Sequence, residues 1–234
     1  DCLLSRGLGD VYKRQNMMRK YDFLPADLGE TIEVGKKDFD AATETMTTII
    51  PLLYQSGYVT IKGYDKPTKL YQLALPNQEI RVGLYGSLLP HYLTDKSAKA
   101  NTTIAKMSVL VKKGDMDAAF CLLNDFLETV PYCDNTNYEG HWQQTLYIMF
   151  ALLTNYSIHV EPHTAKGRID ITMETADTIY VMELKFNKSA EEALAQIEAK
   201  HYVDAFKMSG KKVVKIGLNF SVKDEVNCLE WKIG

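Results

Sequence analysis

Residues 168–186 read RIDITMETADTIYVMELKF, and the two halves of the stretch are patterned differently. From Arg168 to Glu174 the alternation is strict. Ile169, Ile171 and Met173 point one way and Asp170, Thr172 and Glu174 the other, the period of two that belongs to a strand. Thr178 to Phe186 is a strongly β-prone run in which Glu183 and Lys185 share a face while Leu184 turns into the core. A turn centred on Ala176 makes the pair an antiparallel hairpin and sets Asp170 opposite Met182 or Glu183. A small register adjustment then brings two carboxylates and an ammonium to one spot.

Such a group suits a divalent cation. Hard carboxylate oxygens hold Mg²⁺ while water and phosphate oxygens complete the octahedron. The cation acidifies a bound water and neutralises charge building on phosphorus, and Lys185 is placed to orient or deprotonate the attacking water. A solvated hairpin face carries the same pattern, so the spacing by itself leaves both readings open.

Downstream, Ser189 to Met208 has helical periodicity (Ala193, Ile197, Ala205) and stops at Gly210, and Val213–Phe220 and Val226–Trp231 read as strands. Upstream, His159 to Glu161 is a short strand candidate, and about Gly140 to Asn155 is a helix apolar on more than one face, as in a sandwiched element. The order α-β-β-β-α-β-β is an α/β layout with an antiparallel hairpin at its centre. Before it, Thr102–Lys112 and Asp115–Val130 read as helices broken at Gly114, with Asp115 as the second one's N-cap and Pro131–Asn137 as a loop.

The polar stretch Thr94 to Asn101 reads as a linker, which puts a domain boundary near residue 95. N-terminal to it, apolar residues at helical spacing from Asp38 to Gln55 are followed by β-like runs at Tyr58–Lys62 and Leu70–Leu75 around a turn containing Pro67, then a helix from Asn77 to Leu93. Helix, hairpin, helix is the pattern of a small winged-helix-like module. No basic recognition helix is evident, so packing rather than DNA binding is its expected role. Residues 1–15, DCLLSRGLGDVYKRQ, resemble a translated sequencing-adapter segment and are set aside.

The chain has 234 residues, 46% hydrophobic and 24% charged, which excludes disorder, collagen and a disulfide-stapled mini-protein. A formal net charge of −3 excludes coating nucleic acid by bulk charge. Residues 158–215 hold nine basic and nine acidic residues, so any basic patch there must come from the fold. Cys2, Cys121, Cys133 and Cys228 are scattered without a CxxC pair, which argues against a zinc ribbon and for reduced thiols. No apolar run reaches membrane-spanning length, and residues 1–15 lack a basic start followed by an apolar core. The cytoplasm is the expected address.

Gly167-Arg168-Ile169-Asp170, Tyr180 to Lys185 and Ala193-Leu194-Ala195-Gln196-Ile197 together resemble the PD-(D/E)xK nuclease superfamily. The likeness is to the branch fused behind an AAA-ATPase-like domain in many gut bacteria. It extends through Gly114-Asp115, Pro131-Tyr132, Glu139-Gly140-His141 and Ile216 to Ser221, about residues 100–234; a looser likeness over roughly 20–95 is to the end of the ATPase-like domain. The resemblance implies a restriction-endonuclease-like core (α-β-β-β-α-β) over residues 96–234, behind a helical, winged-helix-like remnant at 16–95. It implies Asp170 and Glu183 as ligands of Mg²⁺ or Mn²⁺, Lys185 as the catalytic lysine, Glu139 as a helical acidic group near the metal, and Gln196 as a contact to scissile phosphate or base. DNA is the expected substrate, and the ATPase half of a longer protein the expected partner. With no GxxxxGK[ST] loop here, no ATP site is expected in this piece.

The other class of function is a catalytically silent regulatory or interaction module that keeps the fold. Four further groups carry site-like chemistry but read more plainly as structural or solvated. His159, Glu161 and His163 alternate as a zinc or iron site would require, but Pro162 is expected to interrupt the strand. Lys200 and Tyr202, like Gln196, read equally as the exposed side of a helix. His141 reads as structural rather than as an orienter, and the lysines of GYDKPTKLYQ (63–72) as a solvated loop.

Overall fold

In the computed structural model, the residues described are 24–29, 31–42, 47–93, 97–130, 139–156, 158–165 and 168–234. The set-aside segment 1–15 and the loop expected at 131–137 lie outside them. The chain divides into two compact units, Asp1–His91 and Tyr92–Gly234.

In the first unit, strand β1 (Ile32–Val34) and short helices α1 (Lys36–Phe39) and α2 (Ile50–Gln55) precede a hairpin of β2 (Thr60–Asp65) and β3 (Leu70–Ala74), then helix α3 (Gln78–Tyr92). The three strands form one antiparallel sheet in the order β1-β3-β2. Where one helix is expected from Asp38 to Gln55, the described residues hold the end of α1, which stops at Phe39, and α2, which carries Pro51 in its first turn, where a missing N–H costs no helical bond. Asn77 starts α3 by accepting from the Ile80 N–H at 2.9 Å.

In the second unit, α4 (Ser97–Lys112) and α5 (Met116–Glu128) are joined by a turn at Gly114, whose φ of +76° suits a residue without a Cβ. Asp115 caps α5 by accepting from the Ala118 N–H. The expected linker is therefore helix from Ser97 onward, in keeping with the helix-favouring Ala98, Lys99 and Ala100. Next come α6 (Glu139–Ala151), β4 (His159–Ala165), β5 (Arg168–Glu174), β6 (Thr178–Phe186), α7 (Ala190–Ala199), β7 (Lys212–Lys223) and β8 (Val226–Ile233). The five strands lie in the order β4-β5-β6-β7-β8, antiparallel except for β6 and β7, which α7 connects in parallel.

Alternation along the strands gives the sheet two faces. On one, Ile179 and Val181 pack against Ile197 of α7. On the other, Phe220 stacks on Trp142 of α6 with ring centroids 4.8 Å apart, and residues 141–150 of α6 are all buried. The sheet is thus covered by α6 on one side and α7 on the other.

Two further sequence expectations fail for identifiable reasons. Pro162 does not interrupt β4, where it pairs with Ile171; β4 is an edge strand, the place where a sheet tolerates a residue without an N–H. The helix expected to reach Met208 ends at Ala199, because His201 takes a left-handed φ of +53°. Tyr202, Val203 and Phe206 of the following turn still pack on the Ile179–Val181–Ile197 cluster, which preserves the apolar rhythm across the break. No helix among the described residues is long and apolar enough to cross a membrane.

Gly217 sets how closely α7 approaches the sheet. A Cβ built there would lie 2.0 Å from the Ala190 carbonyl oxygen and 2.6 Å from the Leu194 nitrogen. Gly217→Ala is therefore expected to destabilise by about 3 kcal/mol, lowering Tm by roughly 6–12 °C. At Gly86, where a Cβ meets nothing within 4 Å, Gly86→Ala is expected to leave Tm unchanged or raise it. Scanning calorimetry of the two variants checks the contrast.

Candidate active site

The strand register aligns the sequence-selected residues in one row. Asp170 of β5 is the direct partner of Glu183 of β6, with no adjustment needed, and Glu183 in turn pairs with Gly217 of β7. The row continues to His163 of β4 on one side and Lys232 of β8 on the other. Backbone positions paired in this way carry their Cβ atoms about 4.5–5.5 Å apart on one face. Two residues along β6, Lys185 pairs with Asn219, which pairs with Glu230.

Glu183 and Lys185 lie under α7, on the face lined by Ile179 and Val181. Glu183 is 0% exposed and Lys185 5%. The Lys185 ammonium donates to Glu183 Oε1 at 2.5 Å and to Gln196 Oε1 of α7 at 2.5 Å. The ion pair is thus anchored on both sides, by the strand and by the helix. A buried pair of this kind is held by its geometry, since desolvation offsets most of the Coulomb gain. The second carboxylate oxygen, Glu183 Oε2, is buried and has no hydrogen-bond partner among the described residues. An orphaned carboxylate oxygen under cover is the kind of atom that a cation satisfies.

The fit to a divalent cation rests on that oxygen and on the register position of Asp170. The side chains of Asp170 and Glu139 lie outside the described residues, although Asp170 has its place in the ladder and Glu139 is the first residue of α6. Among the described residues no group of three or more His, Cys, Asp or Glu side chains is placed to hold a metal ion.

Other sequence candidates separate from this group. Lys200 lies with its ammonium 5.7 Å from the centroid of the Tyr202 ring, and Tyr202 packs against the Ile179–Val181–Ile197 cluster. His141 is buried, stacked on Tyr92 and edge-on to Trp142 with centroids 5.3 Å apart in each case, as its structural reading requires. His159, Glu161 and His163 pair with Glu174, Thr172 and Asp170, so only His163 falls in the Asp170–Glu183 row; their side chains lie outside the described residues. In the 63–72 hairpin the Asp65 carboxylate accepts from the Thr68 hydroxyl, closing a turn that leaves Lys66 and Lys69 exposed.

Two residues that matter here stand in the sequence only within the motif Ile216 to Ser221. Gly217 lets α7 touch the sheet beside Glu183. Asn219, 1% exposed, accepts from the Lys188 N–H at 2.9 Å and donates to the Lys188 carbonyl at 3.0 Å. An asparagine inside the apolar run Val213–Phe220 is the sequence signal that marks it.

Residues 137–231 match the sequence model of the PD-(D/E)XK nuclease superfamily, a span that contains Glu139, Asp170, Glu183, Lys185, Gln196, Gly217 and Asn219. The chain is also 29% identical over 179 residues to an uncharacterized protein in the vnfD 5′ region of Azotobacter chroococcum mcd 1. That alignment covers 73% of this chain and 34% of the relative, so the chain spans about a third of the length of the curated protein it matches.

Removing one partner of the buried pair leaves the other charge uncompensated, so Lys185→Met is expected to cost about 3–5 kcal/mol of stability. Glu183→Gln combined with Lys185→Met removes both charges and is expected to be more stable than Lys185→Met alone. Urea unfolding of the two variants measures the difference.

Proposed function

We propose that residues 96–234 are a PD-(D/E)xK nuclease domain with a restriction-endonuclease-like core, and that it hydrolyses phosphodiester bonds of DNA with a divalent metal. The observation that carries this reading is the row in which Asp170 faces Glu183, with Lys185 bonded to both Glu183 and Gln196. The match of residues 137–231 to the nuclease superfamily supports it.

In this reading Asp170 and Glu183 would hold Mg²⁺ or Mn²⁺, with the orphaned Glu183 Oε2 as an available donor and Glu139 as a further acidic group from the head of α6. When bound, the ion supplies Lewis acidity to a phosphate oxygen and lowers the pKa of water. Lys185 brings positive charge to the phosphate as negative charge grows on it, and holds the attacking water. Gln196 Oε1 accepts from the Lys185 ammonium and so fixes where its remaining protons point. Water adds its oxygen to phosphorus as the bond to the leaving oxygen breaks, and one strand end keeps the phosphate. The first unit is read as a winged-helix-like remnant of an AAA-ATPase-like domain, with the ATPase half of a longer protein as its partner.

One observation favours a second reading, a silent module that retains the fold. Glu183 and Lys185 are shielded from solvent and already neutralise each other. The two readings separate in a plasmid-cleavage assay with Mg²⁺ or Mn²⁺. The nuclease reading expects metal-dependent nicking that EDTA stops and that falls at least 10³-fold in Asp170→Asn and Lys185→Ala. Equal nicking by wild type and both variants, or none by any of them, supports the silent module.

A further inference from the structure

We propose that Asn219 is a positioning residue that sets the height of α7 on the sheet and thereby delivers Gln196 to the Lys185 ammonium. For its catalytic consequence this rests on the nuclease reading; its structural part stands alone.

Three placements converge on Asn219. It is the β7 partner of Lys185, so the two residues sit side by side on one face. Its amide grips both backbone polar groups of Lys188, the residue just before Ser189. Ser189 is the N-cap of α7, accepting from the Glu192 N–H at 3.1 Å. One buried side chain therefore ties the end of β6, the turn and the helix start to β7. The turn needs the tie: Asn187 holds a left-handed φ of +52°, and its N–H donates to the Phe220 carbonyl.

The amide is itself held from outside. Asn219 Nδ2 also donates to Glu230 Oε2 at 3.3 Å, and the other oxygen of Glu230 accepts from Lys223 at 2.5 Å. The hydrogen bonds from Lys223 and Asn219 keep the Glu230 carboxyl below its usual pKa, so it is an anion across the neutral range. An anion at this place selects the amide orientation with nitrogen toward Glu230 and oxygen toward the Lys188 N–H.

The geometry also says why a small slip matters. Gln196 lies seven residues past Ser189, about 10 Å along the helix at 1.5 Å per residue, so a tilt of roughly 6° at the cap moves it about 1 Å. A shift of that size along the bond stretches the Lys185–Gln196 contact from 2.5 Å to about 3.5 Å, beyond the usual length of a hydrogen bond. A misplacement of about 1 Å at a catalytic group is worth about 10²-fold in rate.

The test compares Asn219→Ala and Asn219→Asp with Asn124→Ala. Asn124 also clasps the backbone of the sheet, accepting from the Leu229 N–H at 2.8 Å, but it sits on α5 and touches neither Lys185 nor the turn before α7. Two readouts need no activity: hydrogen exchange at the Lys188 amide, and the ¹H–¹⁵N signal of the Lys185 ammonium. Asn219→Ala is expected to speed Lys188 exchange at least tenfold and to move the Lys185 signal to the position of solvated lysines. Asn219→Asp keeps an acceptor for the Lys188 N–H and is expected to fall between; it also serves if the alanine variant does not fold. Asn124→Ala is expected to leave both readouts unchanged at whatever cost in Tm. In the cleavage assay, Asn219→Ala is expected to lower kcat about 10²-fold with KM unchanged. A Lys185 signal unmoved in the Asn219 variants, or moved equally in Asn124→Ala, overturns the proposal. Wild type without cleavage sinks the nuclease reading and leaves the two spectroscopic readouts to decide the role of Asn219.

Discussion

Helix α7 touches β7 at a point where the strand has no side chain. At Gly217 the Ala190 carbonyl oxygen occupies the space that any Cβ would take. This contact brings the helix down over the row beside Gly217, which is why Glu183 is sealed from solvent and why a glutamine one turn before the helix end reaches Lys185. The small residues Ala190 and Ala193, both buried, serve the same close approach from the helix side. Sheet and helix are thereby held at a separation at which a carboxylate, an ammonium and an amide meet within single hydrogen bonds.

Burying that group has opposing consequences. Removing an ion pair from water costs several kcal/mol per charge, so Glu183 and Lys185 add little net stability even at 2.5 Å. What burial adds is electrostatic reach: a charge in a dry setting acts on its neighbours far more strongly than at the surface. The surface pairs behave differently. Lys215–Glu198 and Lys232–Glu191 link α7 to β7 and β8 at solvent-exposed positions, where water and salt screen them and they add little.

The hairpin that carries the site is legible from the sequence almost to the residue. Strict alternation from Arg168 and a β-prone run from Thr178 give strands with those same bounds, and turn placement alone narrows the partner of Asp170 to two positions, of which Glu183 is the one found. What is harder to read are features set by tertiary context. Pro162 forbids a central strand but not an edge strand, and edge status is not written in the local sequence. The end of α7 at Ala199 is hidden because the turn beyond it buries Tyr202, Val203 and Phe206 in the same cluster. Gly217 and Asn219 are visible as oddities in an apolar strand, yet their reasons, a helix backbone and a turn, come from elsewhere in the chain.

All of the proposed chemistry depends on Asp170 and Glu183 serving one cation, so the most direct measurement is calorimetric titration of Mn²⁺ into wild type and Asp170→Asn. One saturable site in wild type that disappears in the variant, with the fold intact by circular dichroism, is the predicted result. Undiminished binding in Asp170→Asn, or no binding in wild type, would contradict it.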